Sequence, residues 1–282
     1  MTARIRSPIK RRNALHAAGL HGQLIYPNVV PISLIVCIHG GGCNGQYFDL
    51  PKFSFADVAI NVGHAVLIVD RPAHGASPCI AAESSVRKAA ELLPLLVAKA
   101  WDVMSFGELP VTLFGHSIGG AVAMHCAAQS PELASCLVTS GIGTRPSDLV
   151  MDWHRSLSAD NLLLPNEFFF GPEGSFDWRA PIAIRKCAEP WRRSDIDEIL
   201  LNWPNEFKAI SNRIVAPVLS IFSEHERIWE IDEAALETMC RSFAGSKAAV
   251  EIAAGGGHLY EVHRNWSEHA ARIVMFIEEN IK

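Results

Sequence analysis

The chain has 282 residues, of which 49% are hydrophobic and 20% charged, and its 25 basic and 30 acidic residues give a net charge of −5. A domain of roughly 150 residues is usual, so one or two are expected, and a chain this long buries a core without metal or disulfide support. The composition excludes wholesale disorder, the mild acidity gives no electrostatic footprint for nucleic acid, and no run of about 18 apolar residues marks a membrane span.

The first residues, MTARIRSPIKRR, are basic but lack the apolar stretch and cleavage site of a secretory leader. They read as a solvated end. Arg4–Ile9 and Gly22–Tyr26 are weak candidates for an antiparallel edge. Six stronger strands follow at Ser33–Ile38, Ala65–Asp70, Val111–Phe114, Ser135–Ser140, Val218–Phe222 and Ala248–Ala253. Their near-continuous apolar runs mark strands buried on both faces. Helical patterns lie between them at Ser84–Met104, with Pro94 expected to kink or split it, and at Ile118–Gln129, Ile231–Phe243 and Trp266–Asn280. This alternation predicts a mostly parallel α/β sheet flanked by helices, with ligands beyond the carboxyl ends of the strands.

The stretch from residue 142 to residue 212 breaks the pattern. It holds four of the seven tryptophans, Trp153, Trp178, Trp191 and Trp203, among phenylalanines and prolines. A separate small helical core would explain that composition; a cap over a pocket explains it as well and is preferred. The expected organisation is therefore a core of residues 1–141 and 213–282, with a helical cap at 142–212.

Seven cysteines is an odd number, and no CxxC pair occurs among them. Zinc and dithiol readings lose their support, and reduced thiols in apolar runs point to a reducing, cytoplasmic compartment. Cys43 reads as a buried or lining thiol.

The strongest chemical signal is Gly115-His116-Ser117-Ile118-Gly119, between a strand and a helix. It fits G-x-S-x-G in the context that gives the motif its meaning. A nucleophile in so sharp a turn needs neighbours without Cβ atoms, which the two glycines supply. The helix start behind Ser117 favours a developing anion. A neutral hydroxyl needs a base. His258, after Gly255-Gly256-Gly257 and late in the chain, is the candidate. A lone histidine is more often structural; its place beyond the last strand reverses that preference. The loop Ser223-Glu224-His225-Glu226 offers a carboxylate to orient the imidazole, with Glu226 chosen and Glu224 the alternative. His39-Gly40-Gly41-Gly42 follows the first core strand, and Gly41 and Ile118 are the candidate oxyanion donors. Gly42 and His116 beside the elbow, and Trp153 and Trp178 from the cap, are candidate substrate contacts. Asp70 and Arg71 are expected to lock a turn. No phosphate-loop pattern is present.

Together, HGGG, Asp70-Arg71-Pro72-Ala73-His74-Gly75, GHSIGG, a late SEHE and a late GGGH resemble the α/β-hydrolase superfamily over roughly residues 30 to 280. The resemblance implies an eight-stranded, mostly parallel sheet, a Ser–acid–His triad and a cap inserted after the sixth strand. The chain departs from the usual pattern at Ala73, where glycine is common, and at the acid loop, which usually reads G-x-x-D.

The expected function is hydrolysis of a carboxylic ester, or a thioester, of an apolar or aromatic small molecule through an acyl-enzyme. C–C bond hydrolysis and a non-catalytic small-molecule receptor are the alternatives. No metal or organic cofactor is called for. The only partner expected is the small-molecule substrate, with no nucleic acid and no membrane, and a homodimer is left open.

Overall fold

The computed structural model describes residues 10–158 and 166–281. Eight strands form one sheet: β1 Lys10–Ala17, β2 Leu20–Pro27, β3 Leu34–Ile38, β4 Ala65–Asp70, β5 Val111–His116, β6 Ala134–Ser140, β7 Val218–Ser223 and β8 Ala248–Ala253. Their order is β1-β2-β4-β3-β5-β6-β7-β8. β1 and β2 pair antiparallel and β2 runs antiparallel to β4; every later pairing is parallel. Crossovers are made by α1 Phe55–Asn61, α2 Ser85–Met104, α3 Ile118–Gln129 and α9 Glu233–Arg241, and α10 Trp266–Asn280 follows β8.

The continuous apolar runs have the expected cause. In β3, Leu34, Val36 and Ile38 enter one hydrophobic cluster while Ile35 and Cys37 enter another. Successive side chains point to opposite faces, and helices cover both. α3 is apolar all round because it is buried along almost its whole length.

Two expectations need amendment. The edge strand β1 was not foreseen, and Arg4–Ile9 lies outside the described residues. The sequence of β1, KRRNALHA, carries no apolar alternation because nearly all of it faces solvent; charge on an exposed edge also discourages pairing with another chain. α2 runs unbroken through Pro94. The missing N–H leaves one turn unbonded, and burial of Leu93, Leu96, Val97 and Ala100 holds the helix together across it.

Between β6 and β7 the chain leaves the sheet. It forms α4 Asp148–Ser156, α5 Asn166–Phe169, α6 Ala180–Ile184, α7 Arg193–Asp197, a π-helical turn at Glu198–Asn202 and α8 Trp203–Ser211. Among the described residues, no helix is long and apolar enough to cross a membrane.

Candidate active site

Ser117 stands between β5 and α3 with φ +52° and ψ −122°. That strained conformation is tolerated because its surroundings fix it. A Cβ on Gly115 would collide with the carbonyl of Gly119, and one on Gly119 would collide with that of Ile38. The two glycines of the motif are therefore steric requirements of the turn. The Ser117 N–H donates to the Ser140 carbonyl at 2.7 Å, which pins the elbow to β6.

The structure brings three distant side chains into line. Ser117 Oγ lies 2.9 Å from His258 Nε2. His258 Nδ1 lies 2.9 Å and 3.1 Å from the two carboxylate oxygens of Glu226. With Nδ1–H donating to Glu226, Nε2 is free to accept from the serine. The Glu226 side chain is fully buried. Its charge is met by the N–H groups of Ile228, at 2.8 Å, and Arg227, at 3.1 Å. Glu224 points elsewhere and accepts from the Gly255 N–H at 2.8 Å, bracing the loop ahead of His258. Gly141, at φ +62°, makes room for the imidazole; a Cβ there would lie 2.9 Å from His258 Cε1.

The loop after β3 passes against the elbow. A Cβ on Gly40 would lie 3.0 Å from Ser117 Cβ, and one on Gly41 would lie 3.0 Å from Ile118 Cδ1. Among the described residues, neither the Gly41 nor the Ile118 N–H has a protein acceptor; the first amides of a helix have no partner within it. Arg71 holds this loop from below. Its buried guanidinium donates to the carbonyls of His39, at 3.2 Å, and Gly40, at 3.0 Å, and pairs with Asp195 of α7 at 3.2 Å. Its N–H donates to His39 Nε2 at 3.1 Å. Burial, reinforced by the Arg71 charge, pushes the His39 imidazole well below its ordinary range, so His39 is a neutral strut. Asp70 locks the neighbouring turn, accepting from the N–H groups of Gly45 at 2.8 Å and Ala76 at 3.0 Å.

The segment 142–212 touches both loops through its main chain. Asn44 N–H donates to Cys187 and Glu189 N–H to Gly42, each at 2.9 Å. His258 N–H donates to Phe168 at 3.2 Å and Leu259 N–H to Phe169 at 2.9 Å. The glycines before His258 permit this approach, since a Cβ on Gly257 would lie 2.5 Å from Gly171 N.

Four expected substrate contacts fall elsewhere or act differently. His116 is only 2% exposed and turns into the interior, with Nδ1 3.0 Å from Ser140 Oγ and its ring stacked on Tyr47. Trp178 is 73% exposed, its ring facing the Arg179 guanidinium rather than a pocket. Trp153 is half-buried on α4, packed against the hydrophobic cluster. Gly42 seats an indole, and that indole belongs to Trp191, which sequence reasoning passed over. Arg71–Asp195 and Phe169 were missed as well, because only the folded chain reveals their neighbours. A cleft of about 530 Å³ lies against the acid loop, lined by Glu167, Gly171, Pro172, Glu224, His225, Glu226 and Arg227. It contains no serine, threonine or cysteine. Among the described residues, no cluster of three His, Cys, Asp or Glu side chains could hold a metal ion.

A strained serine at a strand–helix elbow, hydrogen-bonded to a histidine beyond the last strand of a sheet in this order, defines an α/β-hydrolase-type site. A model of the alpha/beta hydrolase family matches residues 35–274, and the chain belongs to that family. Solved structures share the fold. A lipase from Acinetobacter baumannii, described as putative, aligns at 19% identity and TM-score 0.71 over 96% of this chain and 91% of its own. A thermostable carboxyl esterase from Bacillus coagulans aligns at 14% and 0.71, over 97% and 99%. A soluble variant of monoglyceride lipase from Saccharomyces cerevisiae aligns at 12% and 0.70, over 100% and 99%. No curated protein matches the chain by sequence.

Proposed function

We propose that the protein is a serine hydrolase that cleaves a carboxylic ester, or a thioester, of an apolar or aromatic small molecule through an acyl-enzyme. The observation that carries this reading is the unbroken hydrogen-bonded line from Ser117 Oγ through His258 to Glu226. Ser117 Oγ attacks the carbonyl carbon while His258 Nε2 takes its proton. Glu226 remains ionised and stabilises the imidazolium. The N–H groups of Gly41 and Ile118 receive the oxyanion. As the tetrahedral species collapses, His258 returns the proton to the departing alkoxide or thiolate, leaving the acyl group on Ser117. Water then gives a proton to His258 and its oxygen attacks the acyl carbon. Release of the acid returns the proton to Ser117.

The test is turnover of p-nitrophenyl esters with a pre-steady-state burst. Wild-type protein is expected to show a burst equal to its active sites and to be labelled by a fluorophosphonate. Ser117→Ala should lose labelling and about 10⁵-fold in kcat. Ester turnover that survives in Ser117→Ala would overturn the mechanism. Ligand-dependent stabilisation without any turnover would assign the pocket to a receptor instead.

A further inference from the structure

The segment 142–212 places an aromatic pair between the two loops that bracket Ser117. Trp191 lies directly on the oxyanion loop. A Cβ on Gly41 would stand 2.5 Å from Trp191 Cζ3, and one on Gly42 would stand 2.6 Å from Cε2, so no space separates the indole from the glycines. The benzo edge lies toward Gly41, which itself abuts Ile118. Phe169 stacks on the indole with centroids 6.0 Å apart and planes 20° apart. The Phe169 carbonyl is held by Leu259, next to His258. The pair thus spans from the oxyanion loop to the histidine loop, anchored by main-chain hydrogen bonds at each end. Both residues are only partly buried.

We propose that Trp191, backed by Phe169, is the specificity-determining residue of this site and limits the substituent beside the reacting carbonyl to a short chain. The inference rests on Ser117 being the nucleophile. A long substituent would have to occupy volume that the indole fills, and the indole has no room to retreat towards the loop. Shortening the side chain at 191 frees that volume without altering the triad. A difference in substituent length of several methylenes in an apolar pocket is worth tenfold or more in selectivity.

The experiment measures how fast Ser117 is phosphonylated by two fluorophosphonates, one ethyl and one octyl. In each, Ser117 Oγ bonds to phosphorus, fluoride leaves and His258 takes the proton. The octyl-to-ethyl rate ratio is expected to rise at least about tenfold in Trp191→Ala and to stay within about threefold of wild type in Trp191→Phe. Phe169→Leu, which loosens the backing and leaves the glycines untouched, should raise it by a smaller factor. If the alanine variant does not melt cooperatively, Trp191→Leu is read in its place with the same expectation. A folded, labelled variant with an unchanged ratio overturns the inference alone. Wild-type protein that neither reagent labels overturns the nucleophile assignment and this inference together.

Discussion

Two carboxylate–imidazole pairs lie side by side in the interior, the rings of His258 and His116 being 5.0 Å apart. In the first, Glu226 accepts from two main-chain N–H groups and bonds His258 directly. The opposite ring nitrogen of His258 faces Ser117. In the second, Glu261 accepts from the hydroxyls of Tyr47 and Ser140, and its closest approach to His116 Nδ1 is 3.4 Å. Burial raises the Glu261 carboxyl above the usual range, against the pull of those two hydroxyls. Burial, then the neighbouring His258 and His263, drives the His116 imidazole well below its own. The contrast lies in what surrounds each pair. Backbone amides compensate the charge of Glu226, and a hydroxyl waits on the far side of its histidine. Glu261 and His116 share burial and proximity, but Glu261 is compensated first by two side-chain hydroxyls, and the pair braces the elbow.

The largest effect that tests this contrast is on Glu226. Glu226→Gln should lower kcat by about 10⁴-fold, because the amide disfavours the tautomer that leaves Nε2 free. Glu261→Gln should lower it by less than about tenfold. Equal losses in steady-state assays would break the distinction and place Glu261 in the machinery. The buried imidazoles give a second test. His74, His125 and His263 are each lowered to about 4 by burial. The unfolded chain therefore binds more protons than the native one between the ordinary histidine range and pH 4, and stability falls as the pH drops through that window. Glu261 acts oppositely: its raised value favours the native state at low pH and withdraws that support as the pH rises through the carboxylate range. Melting curves from pH 7 to pH 4.5 should show Tm decreasing throughout, and a flat profile would show that these imidazoles carry protons in the folded state. The smallest effect lies away from both pairs and calibrates the scale. Ala73 holds φ +62° in the turn after Arg71. Ala73→Gly should relieve left-handed strain and raise stability by about 1 kcal/mol in chemical denaturation, with no change in kcat.

Much of the candidate site could be read from the residues. Gly115 is demanded by Gly119 and Gly120 inside the turn, Gly119 by the carbonyl of Ile38 at the end of β3, and a strand followed by a helix announces the turn itself. The sheet was legible because β3 to β7 are apolar on both faces. Where long-range contacts decide, the sequence was silent. Glu224 and Glu226 are two positions apart, and only the path of the loop after β7 sends one to Gly255 and the other to His258. Trp153, Trp178 and Trp191 look alike in the chain, yet one is packed from α4 against the core, one is exposed and one lies on Gly41 and Gly42. β1 escaped notice because an exposed edge has no hydrophobic pattern to display.

The main-chain bonds at Asn44, Glu189, His258 and Leu259 tie the helices between β6 and β7 to the loops after β3 and β8. The helices between β6 and β7 cannot swing outward like a hinged door without breaking these four bonds to the loops beside Ser117 and His258. The four tethered amides should exchange with deuterated solvent as slowly as those of the central sheet.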